Sequence, residues 1–206
     1  MVIHGKILVA STNPGKIAEL RSMLDLAVEL VGLKDFPNVG EIEEDGKTFA
    51  ENARKKAIGY AKATGLWTLA DDSGLVVDAL DGAPGVKSAR FANVTGDRKL
   101  VDKKNMEKVL KLLKEVPIGK RTARFICCLC LAQADKILFQ AQGVLEGVIV
   151  KEPVGENGFG YDPIFFVPNL NKTVAQMTSA EKNAVSHRGN AIRQLKPLLE
   201  QLVAKS

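Results

Sequence analysis

Short stretches of this sequence gather side chains that can do chemistry. Ser11-Thr12-Asn13-Pro14-Gly15-Lys16 ends one apolar run and opens an amphipathic one. Such a strand-to-helix junction offers unpartnered N–H groups and the positive end of a helix dipole, where an anion can sit. Ser11, Thr12 and Asn13 add polar side chains. Lys16 adds a cation in the first helical turn, an unfavourable place for it unless an anion is bound. The stretch is not a Walker-A loop, which requires glycine at position 10 and a hydroxyl at position 17; Ala10 and Ile17 stand there. These residues leave two readings open, a phosphate site or an ordinary capped helix.

Asp71-Asp72-Ser73-Gly74 reads as a turn between two short strands. Neighbouring side chains in extended chain point to opposite faces, so one Asp faces a cleft while the other points elsewhere. A carboxylate at a strand end can ligate magnesium or position a water; the alternative is a solvated turn. Glu41, Glu43, Glu44 and Asp45 precede a helix, either as helix-start charges or as magnesium ligands. On that helix Asn52 and Lys56 share a face. At Ser186-His187-Arg188, His187 can donate to a base carbonyl and Arg188 can fork onto a phosphate or carbonyl. In Gly155 to Pro163 the glycines allow close approach to a flat ligand, Phe159 and Tyr161 can stack on it, and Asp162 can accept from a ring N–H. A structural Gly-rich loop is the other reading.

The elements that must position these residues follow from periodicity and punctuation. Strands are expected at Lys6–Ala10, Glu29–Leu33, Leu66–Ala70, Leu75–Leu80, Ala123–Ala134, Ile137–Val150 and Ile164–Val167. Helices are expected after Asn13-Pro14 (with Ile17, Leu20, Leu24 and Ala27 or Val28 on one face), over Thr48–Ala63, over Lys103–Val116, and from near Ser186 past Leu202 with a kink or split at Pro197. Gly143 and Gly147 suggest a bend or bulge. Alternating strands and helices with one long hairpin point to a mixed α/β sheet.

Composition narrows the function. The 206 residues allow one large domain or two intimate lobes, and no apolar run approaches the roughly 20 residues of a membrane span. The N-terminus lacks the apolar core of a secretory signal, so a cytoplasmic protein is expected. A net charge of +5, dispersed with both signs mixed, suits phosphorylated ligands without the concentrated basic and aromatic patch of a nucleic-acid binder. Cys127, Cys128 and Cys130 lack zinc-pair spacing and read as buried, inert thiols.

Taken in order, the Ser11–Lys16 loop, Thr48-Phe49-x-Glu51-Asn52-Ala53, Ala70-Asp71-Asp72-Ser73-Gly74-Leu75, Gly82–Phe91, Gly158–Phe165 and Glu181–Arg188 closely resemble the inosine triphosphate pyrophosphatase family. The resemblance runs from about residue 6 to residue 196. It implies an elongated, twisted mixed β-sheet with flanking helices, one domain in two lobes around a central cleft, and a homodimer. It also implies magnesium-dependent hydrolysis of ITP, dITP or XTP to the monophosphate and pyrophosphate. Carried over by position, Ser11, Thr12, Asn13, Pro14, Gly15 and Lys16 hold the triphosphate, and Asn52, Lys56 and Ser73 contact substrate. Asp72 serves as general base and metal ligand, with Lys16 and Lys56 as catalytic cations. Phe159, Gly160, Tyr161, Asp162, Lys182, His187 and Arg188 surround the base. Glu43 is the favoured second metal ligand, with Glu44 and Asp45 as the other registers. Ser11 departs from the family's more usual Thr but keeps the hydroxyl; the Glu156-Asn157 pair leaves the base contacts open. The competing readings are a related-fold enzyme acting on modified pyrimidine triphosphates and a non-enzymatic nucleotide or RNA binder.

Overall fold

The computed structural model describes residues 5–25 and 28–204. Its elements are β1 (Lys6–Ala10), α1 (Pro14–Met23), β2 (Glu29–Gly32), α2 (Phe49–Thr64), β3 (Trp67–Val77), α3 (Arg98–Leu112), β4 (Thr122–Gln133), β5 (Lys136–Ile149), β6 (Phe165–Val167), β7 (Lys172–Thr173), α4 (Ser179–Val185) and α5 (His187–Ala204). One seven-stranded sheet runs in the order β2-β1-β3-β4-β5-β6-β7. It is mixed, since β1 pairs in parallel with β2 and β3, while β6 pairs antiparallel with β5 and β7. The fold class is therefore α/β. No described helix is long and apolar enough to cross a membrane.

The chain divides into two compact units. The first contains the chain up to Asp72, Cys127–Gly143 and the segment from His187 onward. Its core joins Ile7, Val9, Leu20, Trp67, Leu69, Leu129, Leu131, Leu195 and Leu199, with Cys127 buried among them. The second contains Ser73–Ile126 and Val144–Ser186, around Leu75, Val77, Val109, Leu113, Phe125, Ile149, Ile164 and Phe165. All three cysteines are free and buried.

Local signals explain most boundaries. Thr48 caps α2 by accepting from the Glu51 N–H, and Gly65 ends that helix at φ 71°, where glycine carries no Cβ penalty. Phe49, Ala53, Ala57 and Tyr60 form its buried face. α1 ends at Met23 with Leu24 as its C-cap, shorter than its apolar spacing predicts, and Ala27 lies outside the described residues. α3 begins at Arg98, five residues before the expected start, because the Asp97 side chain accepts from the Leu100 N–H. Leu113 is buried just beyond it. Pro197 lies inside α5, which continues through it to Ala204. α4, absent from the periodicity reading, is set by a capping box in which Thr178 and Glu181 satisfy each other's N–H groups. Gly143 serves close packing: a Cβ there would stand 2.0 Å from the His187 carbonyl and 2.5 Å from the Ala191 nitrogen.

The largest correction concerns residues 71–74. They form no turn. β3 runs unbroken from Trp67 to Val77 through both aspartates, Ser73 and Gly74. Asp, Ser and Gly are turn formers on their own, but here both carboxylates are buried with cationic partners, and tertiary contacts override local preference.

Candidate active site

At the start of α1, Asn13 occupies the N-cap position and Pro14 the first helical position. The Asn13 Oδ1 accepts from the Gly15 N–H at 2.9 Å and the Lys16 N–H at 3.3 Å. Two N–H groups expected to await an anion are therefore satisfied within the chain. Ser11 Oγ accepts from the Asn13 N–H at 3.2 Å. Ser11 and Thr12 line a cavity of about 1010 Å³, together with Pro14, Ile17, Arg21 and Tyr60. The Lys16 ammonium turns to Asp71, with Nζ 2.6 Å from Oδ1.

Strand alternation separates Asp71 from Asp72. The Asp71 Oδ2 accepts from Arg188 Nε at 2.7 Å and from the Cys127 thiol at 3.2 Å. Arg188, itself 1% exposed, also pairs with Glu19. Burial pushes the Asp71 carboxyl up, but the Arg188 and Lys16 charges outweigh it and hold it well below the usual carboxylate range. The Arg188 guanidinium is thus engaged by two carboxylates of the first unit.

Asp72 is treated differently. Its Oδ1 lies 3.4 Å from Lys56 Nζ, and its Oδ2 is buried with no hydrogen-bond partner among the described residues. Burial raises its carboxyl to about 6, against the pull of Lys56 and Lys16 and helped by the nearby Glu44 and Asp71 charges. Lys56 reaches this place because α2 presents Asn52 and Lys56 on its buried face. Its ammonium donates to the Asp71 carbonyl at 2.8 Å and lies 3.3 Å from Glu44 Oε1. Burial alone would lower the Lys56 pKa, yet Asp72, Glu44 and Asp71 together raise it. Lys55, next to it, is exposed and pairs with Asp45.

The acidic segment resolves in register. Glu44, not the favoured Glu43, meets Lys56; Glu43 is exposed. No group of three or more His, Cys, Asp or Glu side chains forms a metal cluster among the described residues. Magnesium needs no such cluster, since it commonly takes one or two carboxylates, waters and substrate phosphates. The orphaned Asp72 Oδ2 and the nearby Glu44 carboxylate are hard oxygen donors that fit this habit. Among the described residues, Lys16, Lys56 and Arg188 pair with Asp71, Asp72, Glu19 and Glu44.

In the second unit, Asp162 and Lys182 form a buried pair, with Nζ 2.5 Å from Oδ2. The same oxygen accepts from the Phe159 N–H at 2.8 Å, and the ammonium stands 4.5 Å from the centroid of the Phe159 ring. Gly158 at φ 77° permits this turn; a Cβ there would lie 2.0 Å from Asp162 Oδ2. The Gly160 N–H donates to Asp102 at 3.0 Å. Tyr161 is buried in the second core, and its hydroxyl donates to the Ser88 carbonyl at 2.8 Å. Ser73 is partly buried in this unit. His187 is buried at the start of α5 in the first unit.

Sequence reasoning missed two supports. Ser88 is a latch: its Oγ accepts from the Leu75 N–H at 2.9 Å and donates to the Gly85 carbonyl at 2.6 Å. A Cβ on Gly74 would strike that Oγ at 2.2 Å, which gives the Gly82–Phe91 motif a structural meaning. Glu19, the second partner of Arg188, is one helical turn beyond Lys16, but its pairing across 169 residues carries no local signal.

The Ham1 family model matches residues 7–198. The chain is 48% identical over 201 residues to a dITP/XTP pyrophosphatase of Listeria monocytogenes, covering 97% of each. It is 47% identical over 198 residues to a dITP/XTP pyrophosphatase of Desulforamulus reducens, covering 96% of each. The solved structure of a HAM1 protein from Coxiella burnetii superposes with a TM-score of 0.84 at 44% identity, over 96% of this chain and 99% of that one. With its sheet order, its buried carboxylate–cation cluster and these near full-length matches, the chain belongs to the Ham1 family.

Proposed function

We propose that this protein is a pyrophosphatase of nonstandard purine nucleoside triphosphates, hydrolysing ITP, dITP and XTP to the monophosphate and pyrophosphate. Relatives bearing the dITP/XTP pyrophosphatase name match nearly the whole chain, which supports the substrate class. The observation that carries the chemistry is Asp72: a buried carboxylate with one unpartnered oxygen and a pKa raised to about 6. A buried carboxylate with an oxygen that no donor among the described residues occupies can accept the proton of an attacking water, which suits a general base.

The protein's own charges explain a need for a metal. Lys16, Lys56 and Arg188 are already paired with carboxylates, so their charge is partly neutralised before a triphosphate arrives. Asp72 and Glu44 would hold magnesium, which would supply positive charge to the phosphate oxygens. Lys56, in contact with both carboxylates, offsets their mutual repulsion and adds a cation beside the reacting phosphate. Lys16 adds a second, oriented by Asp71. Ser11 and Thr12 offer hydroxyls at the helix start.

For the purine we propose the Asp162–Lys182–Phe159 group of the second unit. An ammonium donor favours a 6-keto oxygen over a 6-amino group, and a site built on such a bond can reject the wrong partner by about 10⁴–10⁵. The working protein is proposed to be one domain of two lobes, a homodimer, acting on the cytoplasmic nucleotide pool.

Product identity tests this reading. With ITP and magnesium, IMP plus pyrophosphate should accumulate in equal amounts. IDP plus phosphate would overturn the pyrophosphatase assignment. In a panel of ITP, XTP, dUTP and 5-methyl-UTP, the purines should lead; a preferred pyrimidine would overturn the substrate class.

A further inference from the structure

The segment carrying Glu44 has no helix or strand of its own between residues 40 and 46, yet it is fixed along its length. It runs along α2 in the opposite direction, like a rail. The Ile42 N–H donates to the Tyr60 hydroxyl at 3.3 Å. The Ile42 side chain lies on Gly59, where a Cβ would stand 2.8 Å from Cδ1 and 2.9 Å from Cγ1. Glu44 meets Lys56, and Asp45 meets Lys55. The Gly46 N–H donates to Asn52 Oδ1 at 2.8 Å, and a Cβ on Gly46 would stand 2.5 Å from that oxygen. The Lys47 N–H donates to Glu51 Oε2 at 2.7 Å. Asn52 is wholly buried, so this anchor is rigid.

Two close approaches at glycines thus bracket Glu44, through Ile42 two residues before it and Gly46 two residues after it. We infer that the Ile42–Gly59 and Gly46–Asn52 contacts are positioning contacts, which set the Glu44 carboxylate at Lys56 and Asp72 and so build half of a divalent-cation site out of irregular chain. This rests on the reading of Glu44 and Asp72 as the cation's ligands. The physical reason is distance. Glu44 has a flexible side chain, and a strap free to move by an ångström would carry its carboxylate out of coordinating range. The glycines let the strap backbone and the helix come close enough to remove that freedom. Side chains that orient a metal ligand typically control affinity by about 10–100-fold.

Gly59→Ala provides the test, because it separates positioning from stability. Alanine is the better helix former, so α2 gains locally while Ile42 is pushed away. The readout is Mn²⁺ binding to the protein without nucleotide, followed by electron paramagnetic resonance, alongside thermal unfolding. Gly59→Ala should weaken Mn²⁺ by about 10-fold or more without a matching fall in melting temperature. Adding Ile42→Ala, which vacates the space, should restore most of the affinity. Gly46→Ala should weaken Mn²⁺ independently, and Glu44→Gln sets the floor. If Glu44→Gln weakens Mn²⁺ while Gly59→Ala and Gly46→Ala bind it as the parent does, the strap contacts do not position Glu44 and the inference falls alone. If Glu44→Gln binds Mn²⁺ unchanged, Glu44 is no ligand, and the inference falls with that reading.

Discussion

Asp71 and Asp72 are neighbours on one strand, both buried, and opposite in character. Asp71 is met by a guanidinium, an ammonium and a thiol, and is held ionised well below the ordinary range. Asp72 is met by one ammonium that it shares with Glu44, keeps one oxygen without a partner, and is pushed up to about 6. Burial acts on both in the same direction. The difference lies in how many donors the opposite faces of β3 supply. Where donors outnumber the carboxylate, it becomes part of the frame. Where they fall short, it is left with unsatisfied capacity, which chemistry can use.

The strongest way to break this comparison is a crossed pair of variants. Asp72→Asn should lower ITP turnover by about 10²–10⁴-fold, the usual worth of a general base. Its melting temperature at pH 8 should be no lower than the parent's, because a poorly compensated buried charge has been removed. Asp71→Asn should show the reverse emphasis, a loss of about 3–5 kcal/mol in unfolding free energy, because Lys16 and Arg188 lose the buried carboxylate they share. Chemical denaturation of both, with turnover measured on the same preparations, decides it. If Asp71→Asn unfolds like the parent, or Asp72→Asn turns over like it, the division of labour is wrong.

A titration sharpens the same contrast. In metal-free protein the Asp72 carboxyl should titrate near pH 6 while Asp71 stays ionised throughout. Carbon-detected NMR of the aspartate carboxyls measures this directly. The sign follows from linkage. Asp72 is raised from 3.8 to about 6, so between those values the folded state holds a proton that the unfolded state has lost. Stability from this group therefore falls as pH rises from about 4 to 6, by at most about 3 kcal/mol for a shift of two units. Asp72→Asn should abolish that slope. An Asp72 carboxyl titrating at or below 4 would remove the basis for its role.

Much of this was legible in the residues. Asn13-Pro14 and Thr48 announce helix starts through chemistry confined to three or four residues, and both appear where expected. Asn52 and Lys56 share a buried face because helix geometry alone puts them there. The failures have a common cause. Asp71-Asp72-Ser73-Gly74 looks like a turn because its burial depends on Arg188, far along the chain, and on Lys56 from another helix. Tyr161 reads as a stacking residue because nothing nearby reveals that its hydroxyl is held by the Ser88 carbonyl. Glu43 and Glu44 cannot be ranked from spacing, since they lie on irregular chain that contacts α2 through Ile42 on Gly59 and Gly46 on Asn52. Missing Asp97 and the Thr178–Glu181 box was avoidable, as both signals are local.

The smallest expected effect tests the most hidden member of the Asp71 network. Cys127 donates its thiol to the oxygen that also accepts from Arg188. It is fully buried, and burial together with the Asp71 charge pushes its pKa well above that of a free thiol. It should therefore be neutral, a donor, and inert to iodoacetamide until the protein unfolds. Cys127→Ala removes one weak donor while leaving the guanidinium and ammonium in place. The loss should be only about 0.5–1.5 kcal/mol, with turnover unchanged. Cys127→Ser keeps a donor of similar size and should lose less. Because Asp71 holds two cations besides, a small cost here is what a redundantly satisfied carboxylate requires. A loss approaching that of Asp71→Asn would mean that the thiol, not the cations, keeps this face of β3 in order.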